Sequence, residues 1–317
     1  APDPYDVMLE RVCVLEVTRY GALLELVQSS LKAVIQALQG LEVLDAETEE
    51  ICSALHKSTI PALWTRHAYP APTTLGSWVE DLGNRLDFMV SWANDGPPIV
   101  FPLCYLFLTT SFLSSILQAH ARKMGAPVDN MRFDCNVLAK HNKPERPPPA
   151  GCYISGLHVQ GARWDHAQGA LAELMPRQPY ESIPVMWLNP VAYPPEEYTL
   201  DEEDEAQDRP PKGAVRVRGP PKARRRRSMG RRMSVLDMVD HQAQNHKLST
   251  VGNFIKKGAA TSAYLCPVYR TCLRGGRKDE GGSAGQKDDF VMAVMLPTHV
   301  DPNKWVQRGV ALICQMT

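Results

Sequence analysis

The chain has 317 residues, of which 44% are hydrophobic and 22% charged, and its formal net charge is zero with a pI near 7.3. This length and hydrophobic fraction are typical of a globular protein that buries a substantial core, and they exclude a mostly disordered chain. The neutral balance argues against attraction of the whole protein to DNA, RNA or anionic membrane, so any such attraction would have to be local.

The eight cysteines are dispersed, and none forms a CxxC pair or has zinc-finger spacing with histidines. This distribution predicts reduced, partly buried thiols, as in a cytosolic protein. The N-terminal stretch APDPYDVMLERV has neither a basic segment nor an apolar core, so we expect no signal peptide. The most apolar window, residues 99–117, contains a proline and a Thr/Ser cluster, which favours a buried extended segment and a buried helix over a membrane span.

The first 128 residues show the spacing of amphipathic helices. Between residues 5 and 39 apolar side chains recur at intervals of three and four, and Gly40 would end this long helix. Further helices are expected near residues 45–57, 74–95 and 110–126, each bounded by capping residues, glycine or proline. The positions predicted to face the core include Met8, Val12, Leu15, Leu23, Leu24, Val34, Ile35 and Leu38 in the first helix and Trp78, Val79, Leu82, Met89 and Val90 in the third.

After residue 128 the apolar period changes from about 3.6 to about 2, which is the period of strands. Six short strands are expected, at 131–139, 151–161, 184–191, 263–271, 290–297 and 309–316. With glycine-rich and proline-rich connections they predict an antiparallel sandwich or small barrel. The predicted fold class is α+β, with a helical subdomain at 1–128 followed by an antiparallel β subdomain at 129–317.

A low-complexity charged insertion interrupts the strand pattern at about 195–262. It has too few apolar residues to offset the entropy of ordering, so we expect it to be disordered or docked on a partner. Its acidic block holds eight carboxylates at 196–208, and eleven basic residues follow at 209–232. The basic loop at 222–232, with six arginines, suggests an alternative function as an interaction module for an acidic partner, tubulin or nucleic acid. The acidic block offsets most of this charge and argues against nucleic acid.

Ser228 and Ser234 each follow a cluster of arginines, in RRRRS and RRMS. Basophilic kinases phosphorylate serines in this pattern, and a phosphate there would offset the arginine charge. Ser228 and Ser234 are therefore candidate phosphorylation sites, and the alternative is an inert, solvated loop.

Three common enzyme signatures are missing from the sequence: neither a P-loop nor GxGxxG or HExxH occurs. Ser29 and Lys32 copy a serine–lysine spacing, but they lie in the long amphipathic helix without the supporting elements of such an enzyme. No catalytic, cofactor-binding or metal-ligating residue is predicted for this segment. The six tryptophans are expected to be core anchors with hydrogen-bonded ring nitrogens rather than platforms for bases.

Seven motifs occur in an order that closely resembles the C-terminal domain of dynein heavy chains. They are PALWTRHAYP (61–70), LGSWVEDL (75–82), ARKMGAPVD (121–129), GLHVQGARWD (156–165), LMPRQPYESIPVMWLNPV (174–191), CPVYRT (266–271) and KWVQRGVALICQ (304–315). The resemblance extends over nearly the whole chain outside 195–262. GARWD, CPVYRT and RGVALICQ together resemble the axonemal branch rather than the cytoplasmic one.

The resemblance implies a helical half followed by an incomplete antiparallel β-barrel, at the end of an ATP-driven microtubule motor. In that family the domain lies across the AAA+ ring, and the sites for ATP and Mg lie in other parts of the parent protein. The implied partners are the ring, the other dynein arm subunits and microtubules, with no membrane partner. The implied location is the cytoplasm and cytoskeleton, in the axoneme of a cilium or flagellum. No catalytic residue of the family maps onto this segment.

Overall fold

The structure, a computed structural model, describes residues 3–41, 43, 45–70, 74–139, 144–178, 180–192, 262–272 and 289–315. The predicted charged insertion, with its basic loop and with Ser228 and Ser234, lies outside the described residues.

The part of the chain that the structure describes contains the four predicted helices together with two short α-helices. The helices are α1 (Pro4–Leu38), α2 (Ala46–His56), α3 (Ala62–His67), α4 (Leu75–Asp95), α5 (Thr109–Met124) and α6 (Pro302–Gln307). Their ends follow local chemistry: the Asp45 carboxylate accepts the Thr48 N–H at 2.8 Å and begins α2. Gly125, in the left-handed region at φ 64°, ends α5, a conformation that glycine adopts without a steric penalty.

Not every predicted core position of the helices is buried. Met8, Val12, Leu23 and Val34 of α1 are buried as predicted, and Trp78, Leu82 and Met89 of α4 are as well. The prediction was wrong for other members of the same stripes, which are exposed: Leu15, Leu24, Ile35 and Leu38 of α1, and Val79 and Val90 of α4. Spacing alone does not separate two neighbouring apolar rows on one helix, because both recur every three and four residues.

Eleven strands are assigned among the described residues. They are β1 (Val100–Pro102), β2 (Met131–Val137), β3 (Cys152–Ser155), β4 (His158–Gln160), β5 (Arg163–Asp165), β6 (Ala170–Ala172), β7 (Tyr180–Ser182), β8 (Met186–Ala192), β9 (Ser262–Thr271), β10 (Phe290–Thr298) and β11 (Ala311–Gln315). One sheet has the order β1-β3-β8-β2, and a seven-stranded sheet has the order β5-β6-β10-β9-β11-β4-β7. The outermost strands of the larger sheet, β5 and β7, contact each other, so this sheet curls into a nearly closed barrel.

The α+β class is confirmed, and all six predicted strands are present, but the strand count and the antiparallel assignment need correction. The predicted strand at 151–161 divides into β3 and β4 around Gly156, and β1, β5, β6 and β7 are additional strands of three residues each. The sheets are mixed, because β1 pairs in parallel with β3, β6 with β10, and β9 with β11. Strands this short carry too little periodicity to be recognised from sequence.

The core extends through both halves of the protein. A single hydrophobic cluster includes Val12 of α1, Phe112 of α5 and Leu312 of β11. Leu312 lies between Val159 of β4 and Val268 of β9, and all three side chains are fully buried. The strand β1, which precedes residue 128, hydrogen-bonds to β3, so the helical half contributes directly to a sheet. As predicted for residues 99–117, an extended segment leads into a helix with a buried face; no described helix is both long and apolar enough to cross a membrane.

Gly151 provides a test of the sheet around β8. Its φ is +73°, and a Cβ added there would lie 1.8 Å from the carbonyl oxygen of Leu188. Gly169 has a similar φ of +61° but no atom within 4 Å of such a Cβ, so it is a matched control for backbone strain alone. We expect Gly169→Ala to lower the free energy of unfolding by about 1 kcal/mol, and Gly151→Ala to lower it by about 3 kcal/mol or more, because overpacking adds to strain. Urea unfolding of both variants measures this, and equal losses would contradict the close approach.

Candidate functional site: a buried connector between helices and sheets

The most unusual feature of the interior is the segment from residue 103 to 108, here called the connector, which joins β1 to α5. It starts with a single 3-10 turn, Leu103–Tyr105, and the side chains of Leu103 and Leu106 are almost completely buried. Burying a backbone N–H or C=O group destabilises the fold unless the group finds a hydrogen-bond partner. Beyond its one turn, the connector has neither a helix nor a strand to provide them, so the partners come from side chains of distant elements.

Glu16 of α1 provides the hydrogen-bond acceptors for the backbone N–H groups at the end of the connector. Its side chain is fully buried, and its two carboxylate oxygens accept the N–H groups of Phe107 and Leu108, each at 2.8 Å. These N–H groups immediately precede α5, whose N-terminus has no side-chain cap of its own and carries a partial positive charge. Burial raises the pKa of the Glu16 carboxyl above its ordinary value, although the two N–H donors and the charges of Arg270 and Arg19 act in the opposite direction.

Arg85 of α4 provides a hydrogen-bond donor for a backbone carbonyl group at the start of the connector. It is only 3% exposed, its Nε donates to Oδ2 of Asp81 at 2.7 Å, and its Nη1 donates to the carbonyl oxygen of Cys104. The guanidinium carbon lies 3.6 Å from the ring centroid of Tyr69, a cation–π geometry. A buried charge of this kind is tolerated only with an ionic partner and further hydrogen bonds, and Arg85 has both.

The Cys104 carbonyl oxygen also joins the last strand to the helices. Nε2 of Gln315 in β11 donates to this oxygen at 2.8 Å, so one acceptor holds donors from α4 and from β11. One residue further along, the Tyr20 hydroxyl of α1 donates to the carbonyl oxygen of Tyr105 at 2.6 Å. Side chains from two helices and one strand therefore fix the connector.

Aromatic side chains surround the helical side of the connector. The Trp64 and Trp78 rings stack with centroids 5.5 Å apart, and Tyr20 meets Phe107 edge-on at 4.7 Å. The prediction that the tryptophans are core anchors is confirmed for the five that are buried, which are Trp64, Trp78, Trp92, Trp164 and Trp305. Trp187 is half-buried, and its ring nitrogen donates to the Ala150 carbonyl oxygen at 2.8 Å.

The described residues show no arrangement that fits the reactive chemistry considered from the sequence. The Ser29 hydroxyl donates to the carbonyl oxygen of Leu26 within α1, on an exposed face. The thiols of Cys135, Cys152 and Cys314 are buried, and burial raises their pKa, which keeps them protonated and unreactive. No group of three His, Cys, Asp or Glu side chains that could hold a metal ion occurs in the described part of the protein.

Sequence reasoning missed the residues that hold the connector, although the sequence contains a signal for them. Arg85 interrupts the buried row Trp78, Leu82, Met89 and Trp92 of α4, and Glu16 lies between Val12 and Tyr20 on the buried face of α1. A charge on the apolar face of a helix indicates a buried ion pair or an unusual hydrogen-bond acceptor. Such a charge does not indicate which backbone group it binds, because the partners are far apart in sequence. Phe107 is 91 residues from Glu16, and Gln315 is 211 residues from Cys104.

The fold and the connector define the class: an α+β domain whose helical half is tied by buried polar side chains to a nearly closed mixed barrel. The sequence matches the family of C-terminal domains of dynein heavy chains over residues 1–205 and 230–314. The protein therefore belongs to this family of dynein C-terminal domains. The match is interrupted at 206–229, a stretch that includes Ser228 and most of the basic loop.

Relatives of known name agree with this assignment. The protein is similar to dynein axonemal heavy chain 1 of Mus musculus, at 33% identity over 317 residues, and of Homo sapiens, at 32%. It is also similar to dynein axonemal heavy chain 3 of Mus musculus, at 29% identity over 315 residues. Each comparison covers 99% of the present sequence but only 6% of the relative. The predicted resemblance to axonemal dynein heavy chains is confirmed.

Three of the motifs that carried the resemblance meet in one sheet. GLHVQG forms β4, CPVYRT forms part of β9, and VALICQ leads into and forms β11, which pairs with both. PALWTRHAYP and LGSWVEDL supply the stacked Trp64 and Trp78. These motifs therefore mark packing contacts of the fold.

Glu16 makes the stability of the protein depend on pH. Because the folded-state pKa of this carboxyl is raised above 4.5, the folded state holds the proton more tightly than the unfolded state does. We expect the wild type to lose free energy of unfolding, relative to Glu16→Gln, as the pH rises above 4.5 and through the folded-state pKa. Urea unfolding of both proteins at a series of pH values measures this difference. A difference that grows in favour of the wild type with rising pH would show that the carboxylate form is preferred.

Proposed function

We propose that these residues are the C-terminal domain of an axonemal dynein heavy chain and act there as a non-catalytic structural and regulatory element. In this proposal the domain packs on the AAA+ ring of the same heavy chain and influences motor output. The parent protein would hydrolyse ATP with Mg at sites in its other parts and move along microtubules in the axoneme of a cilium or flagellum. Its partners would be microtubules and the other subunits of the dynein arm.

The observation that carries the proposal is family membership combined with the way the domain uses its buried charges. Glu16, Asp81 and Arg85 all hold or support the connector, which is a structural task. Because the present sequence spans only 6% of the length of dynein axonemal heavy chain 1, a motor would have to draw its nucleotide chemistry from the remaining length. Both points favour a supporting role for the domain.

The basic loop at 222–232 supports a second candidate function, as an interaction module for an acidic partner such as tubulin. The observation that favours it is the concentration of six arginines in a sequence of zero net charge. Phosphorylation of Ser228 and Ser234 would regulate such binding, and both remain predictions.

Truncation of the full heavy chain tests the proposed function. Because one core extends through both halves of the domain, the deletion removes all of residues 1–317. We expect this heavy chain to show altered microtubule gliding velocity or stall force, while its rate of ATP hydrolysis stays within about twofold of the wild type. The matched control lacks only residues 206–229, the stretch outside the family match, and we expect it to move like the wild type. Unchanged motility after the larger deletion would contradict a regulatory role, and a defect caused by the smaller deletion would favour the basic loop.

A further inference from the structure

The exposed side of α1 carries a second, mostly apolar row, with Gln28 as its one polar member, beside the face that packs on the core. Positions of this row recur in a heptad pattern from residue 14 to residue 38, which corresponds to about 36 Å along the helix axis. The members of this row, here called the α1 seam, are Val14, Val17, Gly21, Leu24, Gln28, Leu31, Ile35 and Leu38.

The large side chains of the α1 seam face solvent within this domain. Val14 is 60% exposed, Ile35 is 53% exposed and Leu38 is 68% exposed, while Leu31 is partly buried. Single exposed apolar side chains are common on protein surfaces, but a heptad-spaced row over more than six turns of helix is the pattern of a helix–helix interface.

Gly21 provides an independent observation in the middle of the α1 seam. It lies inside a continuous helix, where glycine weakens helix formation relative to alanine. A Cβ added there would meet no atom within 4 Å, so no contact within the described structure requires a glycine. A glycine at a seam position allows the backbone of a second helix to approach closely. Such an approach would explain the glycine at position 21, which no contact within the described structure explains.

Polar residues flank the α1 seam on its outer side at the same heptad spacing. They are Thr18, Glu25, Lys32 and Gln39, and all four are exposed. Glu25 and Lys32 carry opposite charges seven residues apart, so the complementary surface is an amphipathic helix with a basic residue facing Glu25 and an acidic residue facing Lys32.

We propose that the α1 seam is the docking site for an amphipathic helix from the part of the same heavy chain that lies outside these 317 residues. This inference rests on the proposed function, and it adds which face of the domain makes the contact and what kind of element covers it. A covalently connected helix has an advantage over a second copy or a separate subunit, because connection raises its effective concentration at the seam. The relatives provide ample length for it, since the aligned region is 6% of dynein axonemal heavy chain 1.

Site-specific photo-crosslinking in the purified full heavy chain tests the proposal. A benzophenone side chain in place of Leu24 lies on the α1 seam, and the same group in place of the exposed Gln36 lies on the neighbouring polar side of α1. We expect the probe at position 24 to crosslink within the same polypeptide to a helix that precedes this domain, as identified by mass spectrometry. The probe at position 36 should give at most about a tenth of that yield.

Substitutions separate docking from folding. Ile35→Glu should reduce the crosslinking yield at position 24 by about tenfold, because it places an unpaired charge in an apolar contact, whereas Gln36→Glu should leave the yield unchanged. Gly21→Met should also reduce the yield, because it blocks close approach, while the melting temperature of the domain stays equal or rises through better helix propensity. A simple folding defect would instead lower the melting temperature together with the yield.

Three outcomes would overturn the proposal: crosslinks from position 24 to a second copy of the protein, crosslinks to a different subunit, or equal yields at positions 24 and 36. Each of them leaves the truncation test of the proposed function unaffected. A motor that changes velocity on truncation, with no crosslink from the α1 seam to the same polypeptide, would keep the proposed function and reject this docking site.

Discussion

The connector at residues 103–108 imposes the constraint on which the rest of the structure depends. Its backbone passes between the helices and the sheets, where each carbonyl and N–H group needs a partner in place of water. Glu16, Tyr20, Arg85 and Gln315 supply these partners from α1, α4 and β11. The two halves of the protein are therefore joined by directional hydrogen bonds as well as by the hydrophobic cluster that extends across them.

This constraint explains why charged side chains lie in an interior that apolar residues could otherwise fill. An apolar residue at position 85 would leave the Cys104 carbonyl oxygen with one donor and would leave Asp81 without its cationic partner. An apolar residue at position 16 would leave two backbone N–H groups unpaired just before α5. The charges cost free energy to bury, but they hold the connector in one position. With α1 fixed to the connector in this way, the outer side of α1 is a surface of fixed position.

The sequence predicted those parts of the fold that depend on local periodicity. Four helices and six strands follow from spacings of 3.6 and 2, as in α4 and β9, because a buried face repeats with the geometry of the element. The parallel pairing of β9 with β11 and the three-residue strands depend on the path of the whole backbone, which short patterns do not contain. The same limit applies to the connector: Glu16 and Arg85 are visible as charges on apolar faces, but Leu108, one partner of Glu16, is 92 residues away from it. Leu24 and Ile35 were assigned to the core because two apolar rows of one helix share the same spacing.

Hydrogen exchange of the connector amides tests most directly whether the helices and the barrel are held together there. The N–H groups of Phe107 and Leu108 both donate to Glu16, and Leu312 lies in the middle of the barrel core. If the connector joins the two halves, the Phe107 and Leu108 amides exchange as slowly as the Leu312 amide, since all three require global unfolding. Exchange of the two connector amides through a local opening, many times faster than that of Leu312, would contradict the account.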